Sequence, residues 1–358
     1  MSDVELAVDA VIPVRNGARH IASCLDSVIA QTMTVTSAIV IDDGSTDDTA
    51  EIVEGYMRRW PALRLIRTGQ RGLPHARNTG IANCRSPYVA FLDSDDVWEA
   101  PKLERQMRLF SAASSRVGVV YCSYYQIDEI GRRIEPRPIV EPQRRVDLLH
   151  DLLVEGNVIS GSGSAAVVRR EFLERTGGFD EKLTFGEDWD LWLRLAEVAE
   201  FDFVPDALVG IRLHQGSMQG GELSQKNERF LFQTLLILDR WYKTPIFPAR
   251  LHGGYRRTVV HFAMLRAAAQ HASRWRRQLE YFQEIERRTG RFGHDLFSGP
   301  LDFFATLYGT ILRLRIRSSL AKVVMAILPP AYYQALRRCI LHSDIDGDKS
   351  NGRYGGRA

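Results

Sequence analysis

The chain has 358 residues, 45% hydrophobic and 25% charged, which is enough to bury a full core and argues against disorder. Its net charge of +3 hides an asymmetry: residues 1–220 carry 24 basic and 33 acidic side chains, whereas residues 221–358 carry 23 and 11. An acidic front half argues against nucleic acid as its ligand, because phosphate neutralisation needs clustered Lys and Arg.

The first 125 residues alternate strand and helix signals, the pattern of a mostly parallel sheet. Strands are predicted at Asp9–Val14, Ser37–Ile41, Leu63–Arg67, Tyr88–Leu92 and Gly118–Tyr124. Amphipathic helices are predicted at Ala18–Gln31, Asp47–Arg59 and Pro74–Asn83. The first of these places Ile21, Leu25, Val28 and Ile29 on one face.

The alternation is interrupted by a turn at Asp128–Gly131 and by a Pro/Arg-rich stretch at Pro136–Arg145. This interruption predicts a loop or a boundary between two halves of the domain. The predicted elements beyond it are helix Val146–Val154, strand Ser164–Val168, helices Arg170–Thr176 and Asp188–Glu197, and strand Leu208–His214. From Glu222 onward the pattern is helical, most clearly at Phe230–Trp241 and Tyr255–Arg277. The polar, glycine-rich Ser343–Ala358 predicts a disordered tail.

The four cysteines predict a reducing compartment. They form no CxxC pair and have no His at zinc spacing, so we expect reduced, mostly buried thiols of a cytoplasmic protein: Cys24, Cys84, Cys122 and Cys339. The acidic start, Met1–Glu5, predicts no signal peptide. No uninterrupted apolar segment approaches the ~20 residues that span a bilayer.

Arginines alternate with apolar stretches in the rear half: Arg274, Arg276, Arg277, Arg313, Arg315, Arg317, Arg337 and Arg338. This pattern suits peripheral contact with an anionic membrane surface, such as the inner face of the cell membrane. It equally suits the solvated face of ordinary helices. Both interpretations stay open at this point.

Two short runs, Ile39–Asp47 and Phe91–Asp96, pass from apolar to acidic residues. Each follows a predicted strand, and open α/β sheets place their ligands beyond the carboxyl ends of the strands. Carboxylates crowded there repel one another unless a cation lies between them, and a divalent ion with oxygen ligands is the usual solution. Such an ion would in turn hold a diphosphate.

Six segments in order resemble those of family 2 glycosyltransferases: Val11–Gly17, Asp42–Asp47, Ala76–Gly80, Asp93–Asp96, Gly177–Glu181 and Gly186–Trp192. The resemblance implies the α/β GT-A fold, a Rossmann-like nucleotide-diphospho-sugar transferase with a mixed sheet flanked by helices. It implies a GT-A domain at 1–221, with a nucleotide-binding half at 1–125 and an acceptor-binding half at 126–221. A helical basic region at 222–342 and the tail at 343–358 would follow.

The resemblance assigns the nucleotide site to residues after the first and second strands and in the third helix. One wall of the pocket would come from Pro13, Val14, Arg15 and Asn16. Asp43 matches the family position that accepts the N3 proton of uracil or thymine, whereas Asp42 would orient the loop. Turn formation and helix capping explain Gly44–Asp47 better than ligand binding does.

Arg77 and Asn78 would also bind the nucleotide, Arg77 as a planar phosphate donor. Arg71 is a further phosphate contact with weaker support. A surface Arg and an Asn that caps a local turn explain Arg77 and Asn78 equally well.

Asp93-Ser94-Asp95 is a DXD motif after a buried strand. Asp95 is the predicted ligand of Mn²⁺ or Mg²⁺, and Asp93 is assigned to the ribose or to shared coordination. Asp96 stays open as a further ligand. The resemblance adds His214 to the metal site, since imidazole suits Mn²⁺, although a lone His is as often neither ligand nor base.

Gly186–Asp190 opens a helix, and the resemblance makes Asp188 the base that takes the acceptor proton. The helix dipole would lower the pKa of Asp188, while burial beside Trp189 and Trp192 would raise it. Simple helix capping is the alternative and suits Glu187 as well. Asp190 is predicted to be structural.

Two glycine-containing segments flank these motifs. Gly177–Asp180 is predicted to end a helix with Phe179 in the core. Ser160–Ser164 would either let an acceptor sugar approach closely or form a turn.

These patterns predict a metal-dependent glycosyltransferase that moves a sugar from a UDP- or dTDP-sugar to a hydroxyl with inversion. The acceptor would be a saccharide or lipid-linked saccharide in cell-surface polysaccharide or glycolipid synthesis. The alternative is a non-catalytic nucleotide-sugar-binding or scaffold protein. The presence of all three of Asp43, Asp95 and Asp188 argues against that alternative.

Overall fold

The computed structural model describes residues 6–134, 148–154, 157–159 and 163–214, with residues 237, 240 and 241. The chain forms two compact units, Met1–Ile246 and Phe247–Ala358. The predicted boundary at residue 221 lies outside the described residues and stays a prediction. The predicted helix Tyr255–Arg277, the basic region beyond 246 and the tail lie outside the described residues, as does Pro136–Arg145.

One mixed sheet forms the centre of the first unit. Its strands are β1 Val8–Val14, β2 Ser37–Asp42, β3 Leu63–Arg67, β4 Tyr88–Phe91, β5 Val97–Trp98, β6 Val117–Ile127, β7 Ala166–Arg169 and β8 Glu200–Arg212. Their order across the sheet is β3-β2-β1-β4-β7-β6-β8-β5. Strands β1 to β4 run parallel, and β7 is antiparallel to both β4 and β6. The predicted α/β class with a mixed sheet is confirmed.

Helices flank this sheet. They are α1 Ile21–Ile29, α2 Thr49–Met57, α3 Leu73–Asn83, α4 Lys102–Ala112, α5 Leu148–Val154, α6 Arg170–Thr176 and α7 Glu187–Val198. The predicted helices that fall on described residues are confirmed, and the strands predicted before residue 125 end within three residues of their predicted bounds. Within the described ranges, no helix is both long and apolar enough to cross a membrane.

Two predictions about helices were wrong in detail. Ile29 is 45% exposed, because the buried face of α1 runs through Cys24 instead, one turn after Ile21. Helix α4 was missed entirely. Its inner face includes Lys102 and Gln106, both fully buried, and these polar residues hide the apolar period that predicts a helix.

Strand β8 begins at Glu200, eight residues before the predicted start at Leu208. The part of β8 before Leu208 pairs with β6 despite its polar residues. The pairing between β6 and β8 contains register shifts. The turn at Asp128–Gly131 is confirmed: the Gly131 N–H donates to the Asp128 carbonyl at 3.0 Å, and Gly131 has φ +85°.

Every residue of β1 is buried, because β2 and β4 flank it and helices cover the sheet. Asp9 is the polar member of that strand, and its carboxylate accepts the Arg85 and Ser86 N–H groups at 2.7 and 2.9 Å. Buried polar groups need such partners. Cys24, Cys84 and Cys122 are buried free thiols, as predicted, and Cys339 lies outside the described residues.

Candidate active site

The loops after β1 and β2 are bonded to each other. Asn16 has φ +51°, its N–H donates to Ser45 Oγ at 2.9 Å and its Oδ1 accepts the Thr46 N–H at 2.8 Å. Pro13 and Val14 lie in β1 beside β2, and Arg15 is exposed. The predicted pocket wall is therefore one rigid edge, and its contact with a nucleotide stays a prediction.

Both carboxylates of the Asp42–Asp43 pair are buried. Asp43 accepts the Arg71 and Gly72 N–H groups at 2.8 Å each and so holds the loop that leads into α3. Asp43 Oδ1 also accepts a bond from Thr68 Oγ1 at 3.4 Å, so Oδ2 is the oxygen that could still accept a hydrogen bond from a nucleobase N–H. Asp42 accepts the Ser45 N–H at 2.8 Å, which is the loop-orienting role predicted for it.

Arg77 is bound to two carboxylates, and its contact with phosphate stays a prediction. Its side chain is only 1% exposed, with Nη1 donating to Glu187 Oε1 at 2.8 Å and Nη2 to Asp93 Oδ1 at 2.6 Å. Burial alone would lower the pKa of Arg77, but these two carboxylates raise it above its ordinary value. The guanidinium thus bridges the DXD loop and helix α7, because each of its two terminal nitrogens donates to a carboxylate.

Asn78 is also bound to protein, and its contact with a nucleotide stays a prediction. Its Nδ2 donates to the Phe179 carbonyl at 2.8 Å, and its Oδ1 accepts the Phe179 N–H at 2.8 Å. This pair of bonds fastens α3 to the loop after α6, where Gly177 ends the helix at φ +78°. Phe179 is buried in the core, as predicted.

The DXD loop is hydrogen-bonded to a serine whose role the sequence did not reveal. Ser164 Oγ accepts the Asp93 N–H at 3.0 Å and donates to Asp96 Oδ2 at 2.7 Å. Asp96 is buried and also accepts the Arg212 N–H at 3.0 Å. Burial, with Asp95 and Asp93 nearby, raises the pKa of Asp96 well above its usual range. Both Asp96 oxygens thus support the loop through bonds to protein groups, and its role as a further ligand stays open.

Asp95 and His214, the predicted metal pair, lie together: His214 Nε2 is 2.9 Å from Asp95 Oδ2. Burial and Asp93 raise the pKa of Asp95, while His214 opposes this shift. In the described part of the chain, no group of three or more His, Cys, Asp or Glu side chains is placed to hold a metal. Within the described residues, the pair would supply two ligands.

Arg212 is a second residue that sequence reasoning missed. Its buried side chain donates from Nε to the Asp95 carbonyl at 2.7 Å and from Nη1 to the Asp128 and Glu129 carbonyls at 3.0 and 3.1 Å. It fixes the DXD backbone against the 128–131 turn. The only signal was its position two residues before His214, which does not identify these partners.

Asp188 lies in the first turn of α7 and is partly exposed. Its Oδ2 accepts Asn157 Nδ2 at 3.0 Å, and its Oδ1 accepts the Trp189 N–H at 2.8 Å. Burial and the neighbouring Glu187 raise the pKa of Asp188 from 3.8 to about 6, against the opposing charge of Arg77. This is the direction expected from burial. Asn157 had no sequence signal.

The rest of α7 holds this carboxylate in place. Trp189 Nε1 donates to the Leu152 carbonyl at 2.9 Å, which fastens α7 to α5. Asp190 accepts Arg194 Nε and Nη2 at 2.9 and 2.7 Å, and Arg240 Nη1 lies 3.5 Å from its other oxygen. Asp190 is structural, as predicted.

Comparison with known proteins identifies this arrangement. The profile of Glycosyl transferase family 2 matches residues 9–177. The chain carries a family 2 glycosyltransferase domain. An uncharacterized glycosyltransferase of Rickettsia prowazekii is 29% identical over 231 residues, which are 62% of this chain and 68% of the relative.

Solved glycosyltransferase structures share its GT-A fold. S. aureus TarS 1–349 in complex with UDP-GlcNAc superposes with a TM-score of 0.55 at 18% identity, covering 96% of this chain and 93% of TarS 1–349. The mannosyltransferase PcManGT from Pyrobaculum calidifontis, in complex with GDP-Man and Mn²⁺, superposes with a TM-score of 0.51 at 19% identity. The match covers 95% of this chain and 88% of PcManGT. The expected GT-A fold and glycosyltransferase class are confirmed.

Proposed function

We propose that this domain transfers a sugar from a UDP- or dTDP-sugar to an acceptor hydroxyl with inversion at the anomeric carbon. The observation that carries the proposal is Asp188, held by Asn157 at 3.0 Å at the start of α7. With a pKa raised to about 6, its carboxyl group is ionised at neutral pH and still basic enough to take a proton.

In the proposed step, the acceptor oxygen forms a bond to the anomeric carbon while the bond from that carbon to the diphosphate oxygen breaks. The bonding electrons leave with the diphosphate, and the hydroxyl proton moves to Asp188. One displacement from the face opposite the leaving group inverts the anomeric configuration.

We propose Mn²⁺ or Mg²⁺ as the cofactor. Asp95 and His214 present an oxygen and an imidazole nitrogen side by side at the DXD loop, a donor set that suits Mn²⁺. When bound there, the ion would neutralise charge on the departing diphosphate. The presence of Mn²⁺ in the PcManGT complex supports this choice.

The pyrimidine nucleotide is proposed from Asp43, since an ionised carboxylate only accepts hydrogen bonds and uracil and thymine present an N3–H. TarS with UDP-GlcNAc agrees with this choice, whereas PcManGT holds GDP-Man. For the acceptor we propose a saccharide or lipid-linked saccharide of a surface polysaccharide or glycolipid, used at the inner face of the cell membrane. The 23 basic against 11 acidic side chains of residues 221–358 support that location.

A screen of UDP-, dTDP- and GDP-sugars by thermal shift with Mn²⁺, followed by assay of released nucleoside diphosphate, tests this function. We expect a UDP- or dTDP-sugar to stabilise the protein and to be turned over, and Asp188→Asn to bind it without turnover. Binding without turnover by the wild type would favour the non-catalytic alternative. Stabilisation by GDP-sugars alone would contradict the assignment of Asp43.

A further inference from the structure

The buried guanidinium of Arg77 links the two ends of the proposed reaction. Its partners are Asp93 on the donor side, 16 residues away in sequence, and Glu187 beside the base, 110 residues away. The aromatic ring of Phe179 lies 5.1 Å from the Arg77 Cζ. A Cβ added to Gly163 would make an ordinary contact with Nη2 at 3.5 Å, so residue 163 lies directly beside the guanidinium.

Arginine suits this position better than any other residue type. Its planar fork donates in two fixed directions and stays protonated, whereas lysine offers one compact charge. Removing one member of a buried ion group leaves the other charges uncompensated. One side chain therefore spans the gap between the DXD loop and the first turn of α7.

We propose that Arg77 is a positioning residue, which fixes the base helix relative to the donor loop and balances the charge of Glu187 beside Asp188. The inference rests on the proposed function of Asp188 as base. In this role Arg77 contacts Asp93 and Glu187 also when the nucleotide is bound, and it does not take hold of the phosphates.

The charges around Asp188 support this role. The groups that act on it most strongly are Glu187 on its own helix, Arg77 on α3 and Asp93 after β4. Among the described residues, the other helices packed on α7, α5 and α6, contribute no charge of comparable effect. Glu187 raises the pKa of Asp188 and Arg77 lowers it, so loss of either group shifts that pKa in a defined and opposite direction.

The first test compares Arg77→Gln, Glu187→Gln and the double variant in the pH dependence of donor turnover. We expect Arg77→Gln to move the acidic limb by about one pH unit or more to higher pH. Glu187→Gln should move it to lower pH, and the double variant should lie between them. Shifts of both single variants in the same direction, or no shift, would overturn the proposal.

UDP affinity, measured by titration calorimetry with Mn²⁺, separates positioning from phosphate binding. Loss of a direct charged hydrogen bond to phosphate would lower UDP affinity by about 10- to 100-fold. We expect a smaller loss of UDP affinity in Arg77→Gln. Arg108→Gln, at an exposed position of α4, is the matched control. A loss of 10-fold or more with an unshifted pH profile would assign Arg77 to the phosphates instead.

A crystal structure of the wild type with UDP and Mn²⁺ gives a readout that needs neither turnover nor a folded Arg77 variant. We expect Arg77 to contact both Asp93 and Glu187 in that complex. A guanidinium turned onto the diphosphate would refute the proposal. If the wild type turns over no sugar nucleotide, the proposed function fails, and this structure still decides whether Arg77 positions the two elements.

Discussion

His214 Nε2 lies 2.9 Å from Asp95 Oδ2, although 119 residues separate the two in sequence. The contact forms because His214 follows β8, and Arg212 at the end of that strand donates to the Asp95 carbonyl at 2.7 Å. The position of the imidazole is therefore set by the same strand that fixes the DXD loop.

The first prediction concerns metal dependence. Asp95→Asn and His214→Gln should each remove most of the gain in UDP affinity that Mn²⁺ gives over EDTA, because each removes one of the two proposed ligands. Titration calorimetry with and without metal measures this gain. His75→Gln, which changes a histidine paired with Glu181 at 3.1 Å, should retain it. Equal affinity of the wild type with Mn²⁺ and EDTA would contradict the metal site.

The second prediction separates chemistry from binding at Asp188. Asp188→Asn keeps the shape and the contact with Asn157 but cannot take a proton, so transfer should fall by about 10²–10⁴-fold while UDP affinity stays near that of the wild type. Transfer rate and UDP dissociation constant should be measured side by side. Glu171→Gln, an exposed carboxylate on α6, is the control. Near-normal transfer by Asp188→Asn would place the base elsewhere.

The third prediction follows from the direction of the Asp188 pKa shift. Its pKa is raised from 3.8 to about 6 in the folded protein, so the folded state binds the proton more tightly and this contribution to stability is lost as pH rises between these values. Asp188→Asn should therefore unfold at a higher temperature than the wild type near pH 7.5, and the gap should narrow at about pH 5. Scanning calorimetry at both pH values measures this difference in unfolding temperature. An unchanged unfolding midpoint at the higher pH would argue that ionised Asp188 does not destabilise the folded protein.

The third prediction extends to the acidic limb of the pH profile of activity, which depends on the same carboxylate. Only ionised Asp188 can act as a base, so transfer should rise with pH through a midpoint of about 6. A pH profile of transfer at saturating donor checks this. A midpoint that stays in place in Asp188→Asn would show that another group titrates.

Much of the fold follows from local patterns, because β1, β2 and β4 are mostly apolar runs that end in polar loops. The pairing of Asp95 with His214 was also anticipated. The partners of Arg77 were not, since its contact with Glu187 joins α3 to α7 across 110 residues and no local pattern encodes such a separation. Contacts of this kind depend on the packing of the whole sheet.

The fourth prediction concerns Ser164 under the DXD loop. Ser164→Ala leaves the Asp93 N–H and one oxygen of buried Asp96 without the bonds at 3.0 and 2.7 Å. Each unsatisfied buried group costs about 1–3 kcal/mol, so the variant should be clearly destabilised in urea and should bind UDP with Mn²⁺ more weakly. Ser111→Ala, exposed on α4, is the control. A wild-type unfolding midpoint in Ser164→Ala would show that other groups hold the loop.

The last prediction tests the basic rear half, whose 23 basic and 11 acidic side chains contrast with 24 and 33 in residues 1–220. The full chain should sediment with anionic liposomes at low salt and release as salt rises, because exposed charges are screened within ~10 Å at 0.1 M. A triple change of Arg274, Arg276 and Arg277 to Gln should weaken this binding by removing charges from the proposed contact.

The matched control changes three exposed arginines of the acidic front half to Gln: Arg58, Arg108 and Arg116. The control removes the same net charge. A purely global electrostatic effect would therefore weaken the liposome binding of both triple variants equally. A contact in the rear half would weaken the binding of the Arg274, Arg276 and Arg277 variant only. Because residues up to Ile246 belong to the first compact unit, point substitutions test this better than a chain cut at residue 221. Failure of the full chain to sediment with anionic liposomes at low salt would leave the arginines as ordinary solvated side chains and remove the support for a membrane location.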